Sequence, residues 1–363
     1  MATGLFSPAD EHFMRRALQL ARQGHGQVAP NPLVGSVVVR DGQIVGEGYH
    51  PRFGAAHAEA MALAAAGDRA RGASVYVTLE PCAHHGKTPP CADALVAAGV
   101  ARVVVAVPDP NPVAGGGAAR LAAAGVAVDT GLLADEAREL NAPFLSSFVL
   151  ARPWVTLKLA VSLDGAIARA DRAPTWITGP ESRAAVHAMR AGADAVGVGI
   201  GTVLADNPSL TVREAPPPRV APSRVVFDRG ARLPLGSDLV RTARETPTVA
   251  CVAPSADAAR VEALRAAGVE VVAAADLGAA LRALRDRGVA SLLVEGGAGI
   301  AAALVRERLA DRLVIFQAPV VLGAGALGAF SALDPAAAAE LGALPLVAAE
   351  RHGDDAVSTY ALR

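Results

Sequence analysis

Two thiols and an imidazole that must meet at one point constrain this chain more than any other feature. His57 stands two residues before Glu59, and Cys82 and Cys91 bracket the run Pro81-Cys82-Ala83-His84-His85-Gly86-Lys87-Thr88-Pro89-Pro90-Cys91. Thiolate and imidazole are ligands that Zn²⁺ prefers, and three protein ligands leave one position for water, which marks a catalytic rather than a structural site. One zinc ion per chain is therefore expected on His57, Cys82 and Cys91, with Glu59 free to move protons. Residues two apart on a helix point about 200° from each other, so His57 and Glu59 can address one metal only from a ragged first turn. Cys91 opens an apolar run, Ala92 to Val100, that reads as a second helix, and a helix N-terminus favours thiolate over thiol.

His-x-Glu followed by Pro-Cys and a second Cys is the pattern of zinc nucleobase deaminases, where the metal activates a water and the glutamate carries protons to the leaving amino group. The alternative is a closed zinc knuckle with His84 or His85 as fourth ligand, which leaves Glu59 without a task. Charge argues for a small substrate rather than a polymer. With 34 basic and 35 acidic residues and a net charge of −1, the chain has no bulk attraction for nucleic acid, whose binding leans on phosphate neutralisation. Of three cysteines, two serve the metal and Cys251 falls in the apolar run Thr248 to Ala253, so no disulfide framework is expected. No uncharged apolar run is long enough for a membrane span and no leader pattern opens the chain, so a cytoplasmic protein without membrane contact is expected.

At 363 residues, 52% of them hydrophobic, the chain has room for two or three domains. Ser7-Pro8-Ala9-Asp10 starts a helix that should run to about Gln23. Asp41-Gly42 between Gly35–Arg40 and Ile44–Gly48 predicts a hairpin. After the His57 helix come a strand from Ser74 to Leu79, the cysteine loop, the Cys91 helix, a strand from Val103 to Val107, and a helix and strand around Ala118 to Val128. This alternation predicts an α/β sandwich with parallel pairing in its second half, and ligands at helix starts past strand ends sit where open α/β sheets place their sites. The turn-rich run Pro108 to Gly117 reads as a loop, and the boundary falls near Leu150, giving domains 1–150 and 151–363.

From Pro153 strands and helices alternate to the end: a strand Trp154 to Ala160, the turn Ser162-Leu163-Asp164-Gly165, a strand Asp194 to Thr202 running into a loop Val203 to Arg213, then strands at 223–228, 248–253, 268–272 and 291–294. Pro216-Pro217-Pro218 reads as a surface turn. Glu295-Gly296-Gly297-Ala298-Gly299-Ile300 precedes a helix Ala301 to Arg308, so its amides form an anion site suited to a dinucleotide pyrophosphate; coming late, it is not a Rossmann fingerprint.

The loop from His84 to Pro90, with Asn31-Pro32-Leu33-Val34-Gly35 and Gly48-Tyr49-His50, resembles the deaminase half of the bifunctional riboflavin-biosynthesis family. The runs Lys158 to Gly165, Trp176-Ile177-Thr178-Gly179, Gly201 to Pro208 and Glu295-Gly296-Gly297 resemble its reductase half. The resemblance implies a cytidine-deaminase-like α/β/α sandwich followed by a dihydrofolate-reductase-like α/β domain. It also implies deamination of a phosphorylated diaminopyrimidinone ribosylamine, then NADPH reduction of the ribosyl group to ribityl, in a homo-oligomer. By the same resemblance Asn31, His50, His84, Lys87 and Thr88 hold the first substrate. Val161, Trp176, Thr202, Asp206 and the turn Gly297, Ala298, Gly299, Ile300, Ala301, Ala302 and Ala303 lie on NADPH. Pro174, Arg190, Leu210, Arg213 and Glu295 meet the second substrate, with Lys158 and Glu295 handling protons or orienting the sugar. Arg229 stands where the family places varied polar groups, which leaves the grip on the adenosine phosphate open. The competing readings are a deaminase of a free base, nucleoside or tRNA adenosine, and a second half that is a nucleotide-sensing or oligomerisation module; hydride transfer from NADPH separates them.

Overall fold

The computed structural model describes residues 6–85, 89–173 and 175–362. The chain divides into two compact units, Met1–Val149 and Leu150–Arg363.

The elements of the first unit are α1 (Pro8–Ala21), β1 (Gly35–Arg40), β2 (Gln43–Tyr49), α2 (Ala58–Ala66), β3 (Ser74–Val77), α3 (Cys91–Ala98), β4 (Arg102–Val105), α4 (Gly117–Ala123), β5 (Ala127–Thr130), α5 (Ala134–Leu140) and α6 (Ala142–Ser146). Ser7 caps α1 through a capping box with Asp10, which satisfies two amides of the first turn. Asp41 and Gly42 join β1 and β2 with φ of 52° and 74°, the two positive values of a type I′ turn. The sheet runs β2-β1-β3-β4-β5, antiparallel at the hairpin side and parallel from β3 to β5. Val37 and Val39 pack with Phe13 and Met14 of α1, while Val38 packs with Ala62, Leu95 and Leu121 of α2, α3 and α4. Period-two alternation thus buries both faces, the sandwich expected from the sequence.

The second unit contains β6 (Trp154–Val161), β7 (Ala166–Ala168), α7 (Pro180–Ala191), β8 (Ala195–Gly199), α8 (Ile200–Asp206), β9 (Ser223–Phe227), α9 (Asp238–Arg241), β10 (Thr248–Val252), α10 (Ala258–Ala266), β11 (Glu270–Ala273), α11 (Leu277–Asp286), β12 (Ser291–Glu295), α12 (Ala298–Arg306), β13 (Arg312–Gln317), β14 (Leu327–Gly328), α13 (Pro335–Leu341), β15 (Leu346–His352) and β16 (Asp355–Ala361). Its sheet has the order β11-β10-β9-β8-β12-β6-β13-β16-β15, and β7 pairs separately with β14. Strands β11 to β13 are parallel, and β16 and β15 close one edge antiparallel. Cys251 is buried in β10.

Three sequence expectations are corrected. The strand ends at Gly199, and Ile200 to Asp206 form a helix where strand and loop were expected. The run is rich in β-branched residues, yet Ile200 and Val203 are one helical turn apart and both are buried, a spacing masked by the preceding apolar strand. Helix α12 starts at Ala298, not Ala301, so Ala298, Gly299 and Ile300 of the expected glycine turn are helical. The chain also ends on a hairpin, β15 to β16, rather than on continued alternation.

Candidate active sites

In the first unit, His57 is the extended N-cap residue of α2 and Cys91 opens α3. The seat of α2 is set by β2: a Cβ on Gly48 would collide with the Ala58 carbonyl, and one on Gly117 would collide with that of Pro81. Only glycine lets the backbones approach so closely, and this fixes the starts of α2 and of the Cys82 segment. Cys91 Sγ lies 3.3 Å and Cys82 Sγ 3.7 Å from His57 Nδ1. All three ligating atoms lie within 4.8 Å of one another. A tetrahedral zinc with bonds of about 2.1 Å to nitrogen and 2.3 Å to sulfur spaces such atoms about 3.6 Å apart, so this donor set fits zinc in kind and in spacing. Among the described residues the cluster includes neither His84 nor His85, which removes the closed knuckle.

Glu59 follows His57 on the first turn of α2 and is 3% exposed. Burial pushes its carboxyl up to about 7, against the charge of His57. A hydrogen bond from Cys91, aided by His57, pulls the Cys82 thiol well below its ordinary value despite burial, and the Cys91 thiol is held high. The cluster opens into a cavity of about 330 Å³. On its wall His50 Nδ1 meets the Ala56 carbonyl and Nε2 meets Asn31 Nδ2, both at 3.1 Å. The carbonyl only accepts, so Nδ1 carries the proton and Nε2 of the neutral ring accepts from Asn31. Burial, which lowers the His50 pKa, favours that neutral form. His84 also lines the cavity, and its Nδ1 is buried without a hydrogen-bond partner. Asp109 and Asn111 line it too; the sequence reading passed over them as loop, although they follow β4 at the carboxyl edge of the sheet, where such folds place ligands.

In the second unit the strand order turns back between β8 and β12, which opens a crevice at their carboxyl ends. Lys158 on β6 pairs in register with Glu295 on β12. Alternation places Lys158 opposite Leu157 and Leu159, which are core. Burial pulls the Lys158 ammonium below its ordinary value, against the attraction of Glu295. Burial would raise the Glu295 carboxyl, but Arg190 and Lys158 outweigh it and hold it low. Arg190, expected to meet the second substrate, is buried at the end of α7. It also donates to the Thr211 carbonyl at 2.8 Å. One turn earlier His187, which the sequence reading missed, accepts from the Arg213 amide at 3.1 Å. Arg213 is exposed, its guanidinium held by Ser209 and Thr211.

Other expected contacts are distributed less simply. The Leu210 side chain is buried in the core, with φ of 54°, and Val161 is core as well. Trp176 is 76% exposed, with the Arg183 guanidinium 5.3 Å from its ring. Asp206 is exposed at the end of α8. A Cβ on Gly297 would lie 3.2 Å from Thr202 Oγ1. Ala298, Ala301 and Ala302 are buried on the core face of α12, whereas Gly299, Ile300 and Ala303 line a groove of about 620 Å³. No side chain caps the α12 N-terminus, and nothing lies within 4 Å of a Cβ on Gly299, so backbone amides are open to a phosphate there. Lys87, Thr88 and Pro174 lie outside the described residues.

A family model described as "cytidine and deoxycytidylate deaminase zinc-binding region" matches residues 7–107, and one described as "RibD C-terminal domain" matches residues 153–357. The chain is 43% identical over 319 residues to the riboflavin biosynthesis protein RibD of Aquifex aeolicus, covering 87% of this chain and 88% of that protein. It is 44% identical over 332 residues to RibD of Escherichia coli, covering 88% and 90%. Among solved structures it is similar to Acinetobacter baumannii RibD, with a TM-score of 0.81, 38% identity and coverage of 97% and 98%. It is also similar to a diaminohydroxyphosphoribosylaminopyrimidine deaminase/5-amino-6-(5-phosphoribosylamino)uracil reductase from Thermotoga maritima, with a TM-score of 0.82, 36% identity and coverage of 97% and 98%. Among the described residues no helix is long and apolar enough to cross a membrane.

Proposed function

The chain belongs to the riboflavin biosynthesis protein RibD family, and from that membership we propose that residues 1–150 hydrolytically deaminate a phosphorylated diaminopyrimidinone ribosylamine and residues 151–363 reduce its ribosyl group to ribityl. The observation that carries the reading is the convergence of His57, Cys82 and Cys91 beside a buried carboxylate, Glu59, on a cavity wall. His57, Cys82 and Cys91 hold the zinc, which when bound acts as a Lewis acid that lowers the pKa of its water to about 7. Glu59 accepts a proton at its carboxylate and returns one to the departing amino nitrogen, and burial, which raises that carboxyl, favours its holding the proton between the two transfers. Neutral His50, Asn31 and His84 present hydrogen-bonding groups that orient the pyrimidine, and Lys87 and Thr88 belong to the same set.

NADPH, when bound, supplies the hydride for the second reaction. The open amides of α12 and the groove beside Gly299, Ile300 and Ala303 receive its pyrophosphate, with Thr202 beside Gly297. Lys158 is the half-buried cation that moves or holds a proton at the sugar, Glu295 orients the hydroxyls, and Arg190 holds Glu295. Exposed Arg213 suits the substrate phosphate, which guanidinium binds bidentately. A cytoplasmic location and a homo-oligomer complete the reading. The second is supported by edge strand β15, which leaves Leu346 and Val347 exposed, a surface prone to pairing, and sedimentation equilibrium tests it. The decisive assay follows ammonia release and NADPH oxidation by the zinc-loaded full chain on the synthetic pyrimidine. Absence of ammonia would refute the deaminase assignment, and ammonia without NADPH oxidation would refute the reductase assignment.

A further inference from the structure

Two side chains of α7 strap down the segment that carries Arg213. Residues three apart on a helix share a face, and on α7 these are His187 and Arg190. Arg190 Nη1 donates to the Thr211 carbonyl at 2.8 Å, and His187 Nδ1 accepts from the Arg213 amide at 3.1 Å. One helix face thus answers a carbonyl and, two residues on, an amide, with one donor and one acceptor. An accepting Nδ1 is unprotonated, which places the ring proton on Nε2. Burial and the charges of Arg190 and Arg213 favour that neutral ring. His187 is 5% exposed, and among the described residues the Arg213 amide is the one hydrogen-bond partner of its ring. Upstream the segment is anchored by Leu210, whose side chain is buried in the core. Arg213 itself is exposed, and among the described residues its guanidinium is held only at Nη1, by Ser209 Oγ and Thr211 Oγ1. Its Nε and Nη2 remain, the same edge with which Arg190 grips the two oxygens of Glu295.

Resting on the reductase reading above, we propose that His187 is a positioning residue for the second reaction: it fixes the Arg213 backbone and so aims the Nε–Nη2 edge of the guanidinium at the substrate phosphate. A long side chain on an exposed segment has many rotamers. Holding its root through the amide and its tip through Nη1 leaves one edge presented. Bidentate binding of a phosphate needs both N–H groups at once, so a shift at the root misaligns the fork although the charge stays. An apolar side chain at 187 leaves the Arg213 amide without its acceptor and frees that root. The effect runs through the phosphate, so the hold on substrate weakens while the hydride step is unchanged.

The test follows NADPH oxidation by the zinc-loaded full chain on the deaminated ribosylaminouracil phosphate and on the same compound without its phosphate. Wild type is compared with His187→Leu, His187→Phe and His187→Asn. Leucine and phenylalanine remove the acceptor, whereas the asparagine carbonyl stands about where Nδ1 stood. Fluorescence titration with NADPH shows which variants are folded. His187→Leu or His187→Phe should raise KM for the phosphorylated compound roughly tenfold, the worth of one charge-assisted contact, with kcat unchanged. His187→Asn should recover most of the loss. On the compound without phosphate the variants should match wild type. Unchanged KM, an equal loss on both compounds, or a fall in kcat in place of affinity would overturn the proposal and leave the reductase reading intact. Loss of NADPH binding in both His187→Leu and His187→Phe would also overturn it, by making the imidazole a folding residue. Failure of wild type to oxidise NADPH on the phosphorylated compound would overturn the proposal and the reductase reading together.

Discussion

Arg190 grips Glu295 at two points, Nε to Oε1 at 2.5 Å and Nη2 to Oε2 at 3.0 Å. Helix α7 thereby fixes a carboxylate at the end of β12, beside Lys158 on the neighbouring strand. Both side chains of the pair are largely buried, so neither charge is well solvated and orientation matters more than net charge. Lysine carries the same charge but has no planar fork. Arg190→Lys should therefore slow reduction at saturating NADPH by about tenfold or more while ammonia release stays at the wild-type rate. Wild-type NADPH oxidation in the lysine variant would show that the two-point grip is only structural.

Glu59→Gln removes the proton-moving group without touching a ligand. General acid–base assistance is worth about 10²–10⁴-fold, and ammonia release should fall by that order with full zinc content by atomic absorption. Full metal with near wild-type turnover would take Glu59 out of the mechanism, and loss of the metal would make it a ligand.

The first site was legible because its chemistry is local in sequence: His57, Glu59, Cys82 and Cys91 are residue types whose spacing carries meaning, and His57, Glu59 and Cys91 fall at helix starts. Asp109 and Asn111 were missed because a Pro-rich loop has no periodicity, and only the return of β4 to the sheet edge brings it to the cavity. His187 was missed for another reason. Helix periodicity shows which residues share a face with Arg190 but not that the chain following α8 folds back onto that face. Helix α8 and the early start of α12 were misread because Ile, Val and Gly weaken helix propensity while tertiary packing of Ile200, Val203, Ala301 and Leu304 outweighs it.

Asp10 ties the first unit together and predicts its acid sensitivity. Its Oδ1 accepts from Tyr76 at 2.7 Å and from Arg102 at 2.6 Å, and its Oδ2 accepts from the Ser7 amide at 2.8 Å and hydroxyl at 2.6 Å. Burial alone would raise the carboxyl, but the bonds from Ser7, Tyr76 and Arg102 outweigh it and depress it well below the ordinary carboxylate range. A depressed folded-state value means that this stabilisation is complete above the unfolded pKa of about 3.9 and is lost as pH falls toward the folded one. Asp10→Asn should cost about 1–3 kcal/mol near neutral pH, and the gap from wild type should shrink below about pH 4. Denaturant unfolding across pH 2–7 measures it; a gap independent of pH would show that the carboxylate charge plays no part.

The two activities should be separable because each unit carries its own sheet and core. Among the described residues, the hydrophobic clusters of the first unit contain none beyond Leu145, and those of the second none before Val155. No residue is asked to serve both sites. Removing one thiol leaves two zinc ligands, and because metal binding couples to local folding, the segment from Cys82 to Cys91 should loosen. The core of β6, β8 and β12 with α12 does not depend on it. Cys82→Ser should therefore abolish ammonia release yet still oxidise NADPH when given the already deaminated ribosylaminouracil phosphate. Lys158→Ala should release ammonia normally and stall at that intermediate. If Cys82→Ser stayed folded by circular dichroism but lost reduction of the deaminated compound, a composite active site would have to replace the reading of two independent ones.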